Sequence, residues 1–207
     1  MTVGIIDFGM GNLSSVANAF ERLECSPILL SEPAQMQTVD RLVLPGVGAF
    51  GDGMANLNRG GWIPALEAEV HTGGKPFLGL CLGMQLLATS GTEHGDWQGL
   101  GWIPGVVRRF ETTDAAIRIP HMGWNDVEIA KHDGIYKAAK AEQTFYFVHS
   151  FVFCPEDTSV VSAWCHHGER FVASVERGNI FATQYHPEKS QKCGLSVLRN
   201  FLLASAC

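Results

Sequence analysis

The chain has 207 residues, of which 46% are hydrophobic, and a formal net charge of −6 at pH 7. This length and apolar content predict one globular domain spanning residues 1–207 with ample material for a core. The negative charge argues against nucleic-acid binding, because no dense Lys/Arg face is available to neutralise phosphates.

Targeting and disulfide patterns are also missing from the sequence. No apolar run approaches the roughly 20 residues needed to cross a membrane. Asp7 interrupts the N-terminal apolar run and no basic region precedes it, so we expect no signal peptide and a cytoplasmic protein. The cysteines show no CxxC spacing, which indicates neither a disulfide framework nor a zinc knuckle. They are Cys25, Cys81, Cys154, Cys165, Cys193 and Cys207.

Short apolar runs alternate with helix-forming stretches over the first 90 residues. Strands are predicted at residues 3–8, 26–30, 41–44 and 76–80. Helices are predicted at residues 14–23 and 82–88, and a helical region is predicted to follow residue 48 and to continue through residues 66–71. This alternation implies right-handed crossovers. We therefore predict an α/β fold with a doubly wound, largely parallel, flavodoxin-like sheet.

The second half of the chain is dominated by strands. They are predicted at residues 106–110, 124–127, 144–148, 160–164, 171–175 and 180–184, with a helix at 195–203. Successive strands without long crossovers predict an antiparallel extension of the parallel sheet.

Three chemically distinctive segments directly follow predicted strands. They are residues 9–12 (Gly-Met-Gly-Asn), residues 45–48 (Pro-Gly-Val-Gly) and Cys81. Doubly wound sheets place ligands beyond the carboxyl ends of their strands. We therefore expect these segments to meet at one edge of the sheet.

Cys81 is the candidate nucleophile. It lies between a predicted strand and a predicted helix with Gly79 and Gly83 on either side, which is the pattern of a nucleophile elbow. The glycines permit a tight turn, and a helix start beside the sulfur favours the thiolate. The alternative is a buried structural cysteine, since Cys is among the most buried residue types.

His186 and Glu188 are the candidate base and orienting group. They follow the last predicted strand in the segment Gln-Tyr-His-Pro-Glu, residues 184–188. Residues two apart in an extended segment point to the same side, so Glu188 can hold the imidazole of His186. The alternative is a solvated polar turn.

Oxyanion donors are predicted in two places. The N–H of Leu82, directly after the nucleophile, is one natural donor. A second can come from the turn at Gly46 and Val47, where glycines expose backbone N–H groups at the same sheet edge.

Together these motifs resemble a known enzyme family. Residues 79–85 (Gly-Leu-Cys-Leu-Gly-Met-Gln) and 184–188 are similar to the class I, or triad, glutamine amidotransferases. Residues 7–12, 45–50, 120–125 and 186–190 are more particular and resemble the glutaminase subunits of imidazole glycerol phosphate synthases. The resemblance spans essentially the full chain.

The resemblance implies a role for each motif residue. Cys81 would attack the side-chain amide of glutamine, His186 would protonate the leaving ammonia, and Glu188 would orient His186. Gly46, Val47 and Leu82 would stabilise the oxyanion. The residues that would seat glutamine are Gly48, Gln85, Glu93 and the backbone of His149, Ser150 and Phe151. A solvated loop carboxylate is the alternative for Glu93, and no cofactor or metal is implied.

The resemblance also implies a partner. The family docks as a heterodimer on a (β/α)₈ cyclase subunit, which uses the ammonia to make imidazole glycerol phosphate and an aminoimidazole carboxamide ribonucleotide. It places Asn12, Trp124 and Lys189 near the docking face. We hypothesise that the partner activates Cys81, for instance by turning the Gly46–Val47 peptide into the oxyanion site.

Rival interpretations stay open from the sequence. They are a triad glutaminase of another pathway, such as anthranilate, purine, pyrimidine or pyridoxal phosphate synthesis, a non-catalytic scaffold, and a cysteine peptidase on the same elbow. A metal site at Cys165, His166 and His167 is disfavoured, because adjacent strand residues face opposite sides. We expect that segment to be an exposed strand end or loop tip.

Overall fold

The computed structural model describes residues 1–112, 114, 116–139 and 142–204, with only the backbone of residue 142. The strands are β1 Val3–Ile6, β2 Pro27–Leu30, β3 Arg41–Gly46, β4 Phe77–Cys81, β5 Ser90–Gly91, β6 Trp97–Gln98, β7 Gly105–Arg109, β8 His121–Ile129, β9 Glu142–His149, β10 Phe151–Pro155, β11 Val161–His167, β12 Glu169–Arg177 and β13 Ile180–Thr183. The helices are α1 Leu13–Glu21, α2 Phe50–Arg59, α3 Trp62–Leu66, α4 Leu82–Gln85 and α5 Gln191–Leu203. No helix in these ranges is long and apolar enough to span a bilayer.

A mixed sheet of nine strands organises the described residues. Its order is β2-β1-β3-β4-β13-β12-β11-β8-β9. The strands from β2 to β13 pair in parallel, and those from β13 to β9 pair antiparallel. The predicted parallel sheet with an antiparallel extension is therefore confirmed.

The parallel strands β1, β3, β4 and β13 are buried on both faces, which explains their continuous apolar sequences. The edge strand β2 differs, because its Ile28 and Leu29 are exposed. Along β3, Val43 packs with the core that contains Phe20 of α1 and Phe201 of α5. Its neighbours Leu42 and Leu44 belong to the opposite core, shared with α2, α3 and α4. The alternation of side chains along a strand thus divides the apolar residues between two helical layers.

A second, four-stranded sheet has the order β10-β7-β5-β6 and was not expected from the sequence. Its strands β5 and β6 have two residues each, too short to produce an alternating pattern. β10 directly follows β9, separated from it only by Ser150. Helix α4 is also shorter than expected, because it ends at Gln85 rather than at residue 88. The helical region that was predicted to continue up to residue 71 is divided at Gly61, which has a positive φ.

The carboxyl ends of the central strands meet at one edge, as predicted. Gly46 at the end of β3 pairs with Cys81 at the end of β4. Thr183 at the end of β13 pairs with Leu80. The segments that follow these three strands therefore begin side by side.

A buried hydroxyl cluster anchors the segment that follows β13. The hydroxyl of Tyr136 lies 2.7 Å from that of Tyr185 and 2.8 Å from Ser174 Oγ. Ser174 Oγ in turn lies 2.8 Å from Ser162 Oγ. Burial raises the pKa of Tyr185 well above its ordinary value, so this cluster holds Tyr185 as a neutral hydrogen-bonding group.

We expect Tyr136→Phe to lower the free energy of unfolding by about 1–3 kcal/mol, because it removes two buried hydrogen bonds and leaves the hydroxyl of Tyr185 without this partner, whereas Ser174 keeps Ser162. Urea denaturation followed by circular dichroism measures this change. An unfolding free energy equal to that of the parent chain would show that the cluster adds no stability.

Candidate active site

Cys81 occupies a strained turn between β4 and α4, with φ 53° and ψ −103°. Non-glycine residues rarely adopt a positive φ. The neighbouring glycines explain how the turn is held. A Cβ at Gly83 would lie 2.0 Å from Leu44 O, and one at Gly79 would lie 2.6 Å from Gly83 O. The chain around Cys81 thus packs backbone to backbone, as the elbow pattern predicted.

The helix after Cys81 is only one turn long. The expectation that a helix start favours the thiolate is therefore weaker than the sequence suggested, since the macrodipole grows with the number of aligned peptides. The backbone N–H of Leu82 is at the first helical position, where it has no intrahelical acceptor.

His186 and Glu188 form a buried pair. His186 Nδ1 lies 2.7 Å from Glu188 Oε1, and their side chains are 5% and 2% exposed. Burial lowers the pKa of His186, but the Cys81 sulfur and the Glu188 carboxylate outweigh burial and raise the pKa to about 10. His186 Nε2 is buried and has no hydrogen-bond partner in the described part of the chain. The pair can hold a proton ready for a leaving group beside a thiolate.

Glu188 lies in the 3₁₀ turn Pro187–Lys189 and not in the extended segment that the sequence predicted, so the turn brings its carboxylate to His186. Ser190 fixes this turn. Its Oγ donates to His186 O at 2.6 Å and accepts from Tyr146 N at 3.0 Å. His186 N donates to Tyr146 O at 2.9 Å. Strand β9 therefore positions the predicted base through its backbone.

A cavity of about 440 Å³ opens in front of Cys81. It is lined by most of the predicted site residues: Val47, Gly48, Cys81, Leu82, Gln85, Glu93, His149, Ser150 and Phe151. Gly46 is outside the lining but is the strand partner of Cys81. His186 and Glu188 are not part of the lining either. The structure thus brings a nucleophile, backbone donors and polar groups around one space.

Glu93 is not a solvated loop carboxylate. Its Oε2 accepts a hydrogen bond from Phe50 N at 2.9 Å, at the first residue of α2. Ala49, the residue before that helix, provides no side-chain cap, so Glu93 satisfies a free N–H there. This contact fixes the carboxylate at the wall of the cavity.

The family comparison agrees with this geometry. A family model described as Glutamine amidotransferase class-I matches residues 4–205. The chain belongs to this family. Similar proteins include imidazole glycerol phosphate synthase subunit HisH 1 of Campylobacter jejuni subsp. jejuni, 48% identical over 96% of this chain and 98% of the relative. Subunit HisH of Syntrophotalea carbinolica is 47% identical over 95% of this chain and 97% of the relative.

Solved structures show the same fold at low sequence identity. A structure described as glutamine amidotransferase has a TM-score of 0.75 at 21% identity and covers 97% of each chain. PurLQS from Thermotoga maritima has a TM-score of 0.76 at 18% identity, covering 98% of this chain and 97% of that chain. The class-I amidotransferase fold therefore persists where sequence similarity is weak.

The predicted docking residues of this class-I amidotransferase lie on the exposed carboxyl edge. Trp124 packs edge-on against Tyr146, with ring centroids 6.0 Å apart, and Lys189 Nζ lies 5.7 Å from the same ring. Asn12 caps α1 by accepting from Ser15 N at 3.2 Å. Tyr146 thus joins two of the predicted residues.

Sequence reasoning missed Tyr146 because it assigned residues 144–148 only as a strand, without separating its two faces. The alternation of Phe145, Tyr146 and Phe147 held the missing signal, since the middle residue must face the other side. Phe145 and Phe147 are fully buried, whereas Tyr146 is partly exposed.

The segment at Cys165, His166 and His167 is the end of β11, but only His166 is exposed, so the expectation of an exposed strand end holds in part. Cys165 is buried and His166 is exposed, so the two face opposite sides. No group of three or more His, Cys, Asp or Glu residues suited to hold a metal ion occurs among the described residues. His167 stacks on His121, with ring centroids 4.1 Å apart.

Two buried histidines support the cavity wall. His149 Nδ1 donates to Phe151 O at 2.8 Å, and His149 Nε2 accepts from His121 Nδ1 at 3.0 Å. His121 Nε2 accepts from Asn125 Nδ2 at 3.1 Å. A proton added to either ring would set two donors face to face. Burial is the main cause that lowers the pKa of His121 to about 4 and of His149 to about 3.

The stability of this amidotransferase should fall with acidification. Both folded pKa values lie below the ordinary value of 6.5, so the unfolded chain takes up these protons first as the pH falls. Stability is therefore greatest above pH 6.5, decreases as the pH falls below 6.5, and stops decreasing at about pH 4 for His121 and pH 3 for His149. Each histidine contributes a slope of up to about 1.4 kcal/mol per pH unit. Urea denaturation at a series of pH values measures the slope.

His121→Gln should reduce this slope, because it removes one of the two histidines whose pKa is lowered in the folded chain. His166→Gln is the matched control, since His166 is exposed on the neighbouring strand. Equal slopes for the parent chain and His121→Gln would contradict the assignment.

Proposed function

We propose that this chain is the glutaminase subunit of an imidazole glycerol phosphate synthase. It hydrolyses glutamine to glutamate and ammonia, and the ammonia serves histidine biosynthesis. The observation that carries the proposal is the strained Cys81, which faces the cavity and adjoins the buried pair of His186 and Glu188. The relatives named as HisH subunits, at 48% and 47% identity over nearly the whole chain, support this choice among triad glutaminases.

The geometry supports a two-step reaction. The Cys81 thiolate attacks the amide carbon of glutamine, and the carbonyl oxygen takes the negative charge. The N–H groups of Val47 and Leu82 face this charge, with Gly46 permitting the close approach. His186 gives its proton to the leaving nitrogen, so ammonia departs and a glutamyl thioester remains. His186 then removes a proton from water, which hydrolyses the thioester to glutamate.

Glu188 acts on the reaction through His186. A carboxylate that accepts from Nδ1 directs Nε2 towards the nucleophile and stabilises the imidazolium that the pair forms. The 2.7 Å contact and the near-complete burial of both side chains support this role. Glu188 therefore orients the base without exchanging protons with substrate.

Glutamine is seated by the polar wall of the cavity. The fixed carboxylate of Glu93 suits the α-ammonium group of the substrate, and Gln85 faces the same space. The backbone of Gly48, Ser150 and Phe151 provides further polar groups along the wall. Ser150 O already accepts from Phe110 N at 3.1 Å, so this segment is held in place before substrate enters.

The partner is the cyclase subunit, a (β/α)₈ barrel that binds as a heterodimer. Large apolar side chains are exposed at the same sheet edge: Val47 is 44% exposed, Met122 63% and Trp124 48%. Exposed apolar and aromatic groups of this kind mark protein interfaces. Lys189 follows Glu188 directly, and Val47 belongs to the proposed oxyanion turn. A partner that binds this surface therefore contacts residues next to, or within, the proposed catalytic groups.

Replacement of the nucleophile tests the chemistry. Cys81→Ala should lower glutaminase activity by at least about 10³-fold, because no acyl acceptor remains. It should also abolish covalent labelling by a glutamine analogue that carries a diazoketone. Mass spectrometry of the labelled peptide and an ammonia assay measure both effects.

Cys193→Ala is the matched control, since Cys193 lies on α5 and should keep both activity and labelling. Retained labelling in Cys81→Ala would exclude Cys81 as the nucleophile. Cleavage of peptides by the parent chain, without any response to a partner, would favour a peptidase instead.

Glutaminase assays with and without the cyclase subunit and its nucleotide ligand test the coupling. We expect a higher rate in the complex, and Trp124→Ala should weaken association by about 10-fold or more, as anchor residues do. Leu203→Ala is the control, because Leu203 is 71% exposed at the end of α5. Equal rates with and without the liganded partner would overturn the coupling.

A further inference from the structure

Gln184 is a fully buried polar residue beside the candidate nucleophile. Its side chain is 0% exposed, and its Nε2 donates to Cys81 Sγ at 3.6 Å. His186, two residues further along the chain, also lies beside this sulfur, which helps to raise its pKa. Both side chains therefore reach the candidate nucleophile from the segment that follows β13.

Neighbouring hydrogen bonds determine which end of the Gln184 amide faces the sulfur. Its Oε1 accepts from Gln85 Nε2 at 3.1 Å. Gln85 Nε2 also donates to Phe151 O at 3.1 Å. A carbonyl oxygen can only accept, so Gln85 must present its NH₂ group to both partners. A reversed Gln184 would set two NH₂ groups face to face, and its own NH₂ group therefore points at Cys81.

An N–H donor at this position favours one charge state of the sulfur. Hydrogen bonds to an ionised acceptor are stronger than those to a neutral one, and a donor to the charged form stabilises that form. The sulfur is charged as a thiolate before attack and again when the thioester is hydrolysed. Gln184 can therefore act at the start of the first step and at the end of the second.

We propose that Gln184 is a further catalytic residue, which donates a hydrogen bond to the Cys81 thiolate and is held in that orientation by Gln85. The inference rests on the proposed function, since it requires Cys81 to be the nucleophile. Gln184 then connects the cavity for glutamine to the nucleophile, because Gln85 lines the cavity and donates a hydrogen bond to Gln184.

A purely structural role is the competing explanation. In that case Gln184 only satisfies buried polar groups, and its replacement changes stability without changing the reactivity of Cys81. The pH dependence of Cys81 alkylation separates the two roles, because only the thiolate reacts.

The experiment measures alkylation of Cys81 by iodoacetamide in the full chain between pH 5 and 9, with peptide mass spectrometry as the readout. Gln184→Met keeps a similar volume and removes the donor. We expect the midpoint of its alkylation profile to move up by about one pH unit and the rate at pH 7 to fall about 10-fold, the effect of a charge-assisted hydrogen bond.

Two further variants separate reactivity from stability. Gln184→Glu keeps the shape and the acceptor for Gln85, so its thermal midpoint should stay near that of the parent chain. Its carboxylate replaces the donor and adds a like charge beside the sulfur, so alkylation at pH 7 should be slower than in Gln184→Met. Ser162→Ala removes a buried hydrogen bond in the Tyr136 cluster, away from the cavity, and should keep the parent alkylation profile.

Parent-like alkylation profiles in both Gln184 variants, with only the thermal midpoint lowered, would overturn the inference and leave the proposed function standing. A parent chain whose Cys81 does not react at any pH would overturn the proposed function and this inference together.

Discussion

The active site depends on a contact between two backbones, where the turn after β4 presses against the end of β3. A Cβ at Gly83 would lie 2.0 Å from Leu44 O, so no side chain can separate the two segments. This contact holds Cys81 at a positive φ and keeps Gly46 beside it as a strand partner. Because the strain is supported by the packed sheet, the sulfur is presented to the cavity without help from a long helix.

The segment that follows β13 supplies the side chains that adjoin the sulfur of Cys81. Gln184 and His186 face Cys81, and Glu188 lies behind His186. Tyr185, between them, faces away and is anchored through the hydroxyl of Tyr136. One side of this segment therefore faces the sulfur and the other side anchors the segment in the core. By anchoring Tyr185, the buried hydroxyl cluster also stabilises the positions of its neighbours Gln184 and His186.

Much of the fold and site could be predicted because the relevant patterns are local. Apolar runs located the parallel strands, and strand ends located the shared edge. The small sheet of β5, β6, β7 and β10 could not be predicted in this way, since strands of two residues carry no periodicity. The short α4 and the support of the cavity by His121 and His149 were also missed. Each depends on contacts between residues far apart in the chain.

The sequence by itself located the candidate nucleophile, its candidate base and the turn that adjoins them, because each belongs to a short motif of distinctive residues. It also carried enough similarity to place the chain among the class-I glutamine amidotransferases. Only the tertiary structure decided how these motifs are oriented. The direction of the Gln184 amide and the fixed position of Glu93 arise from hydrogen-bond partners elsewhere in the chain. The pKa of His186 is raised by Cys81 and Glu188 against the opposing effect of burial. Such effects require a folded interior, where hydrogen bonds and charges act at short range without water.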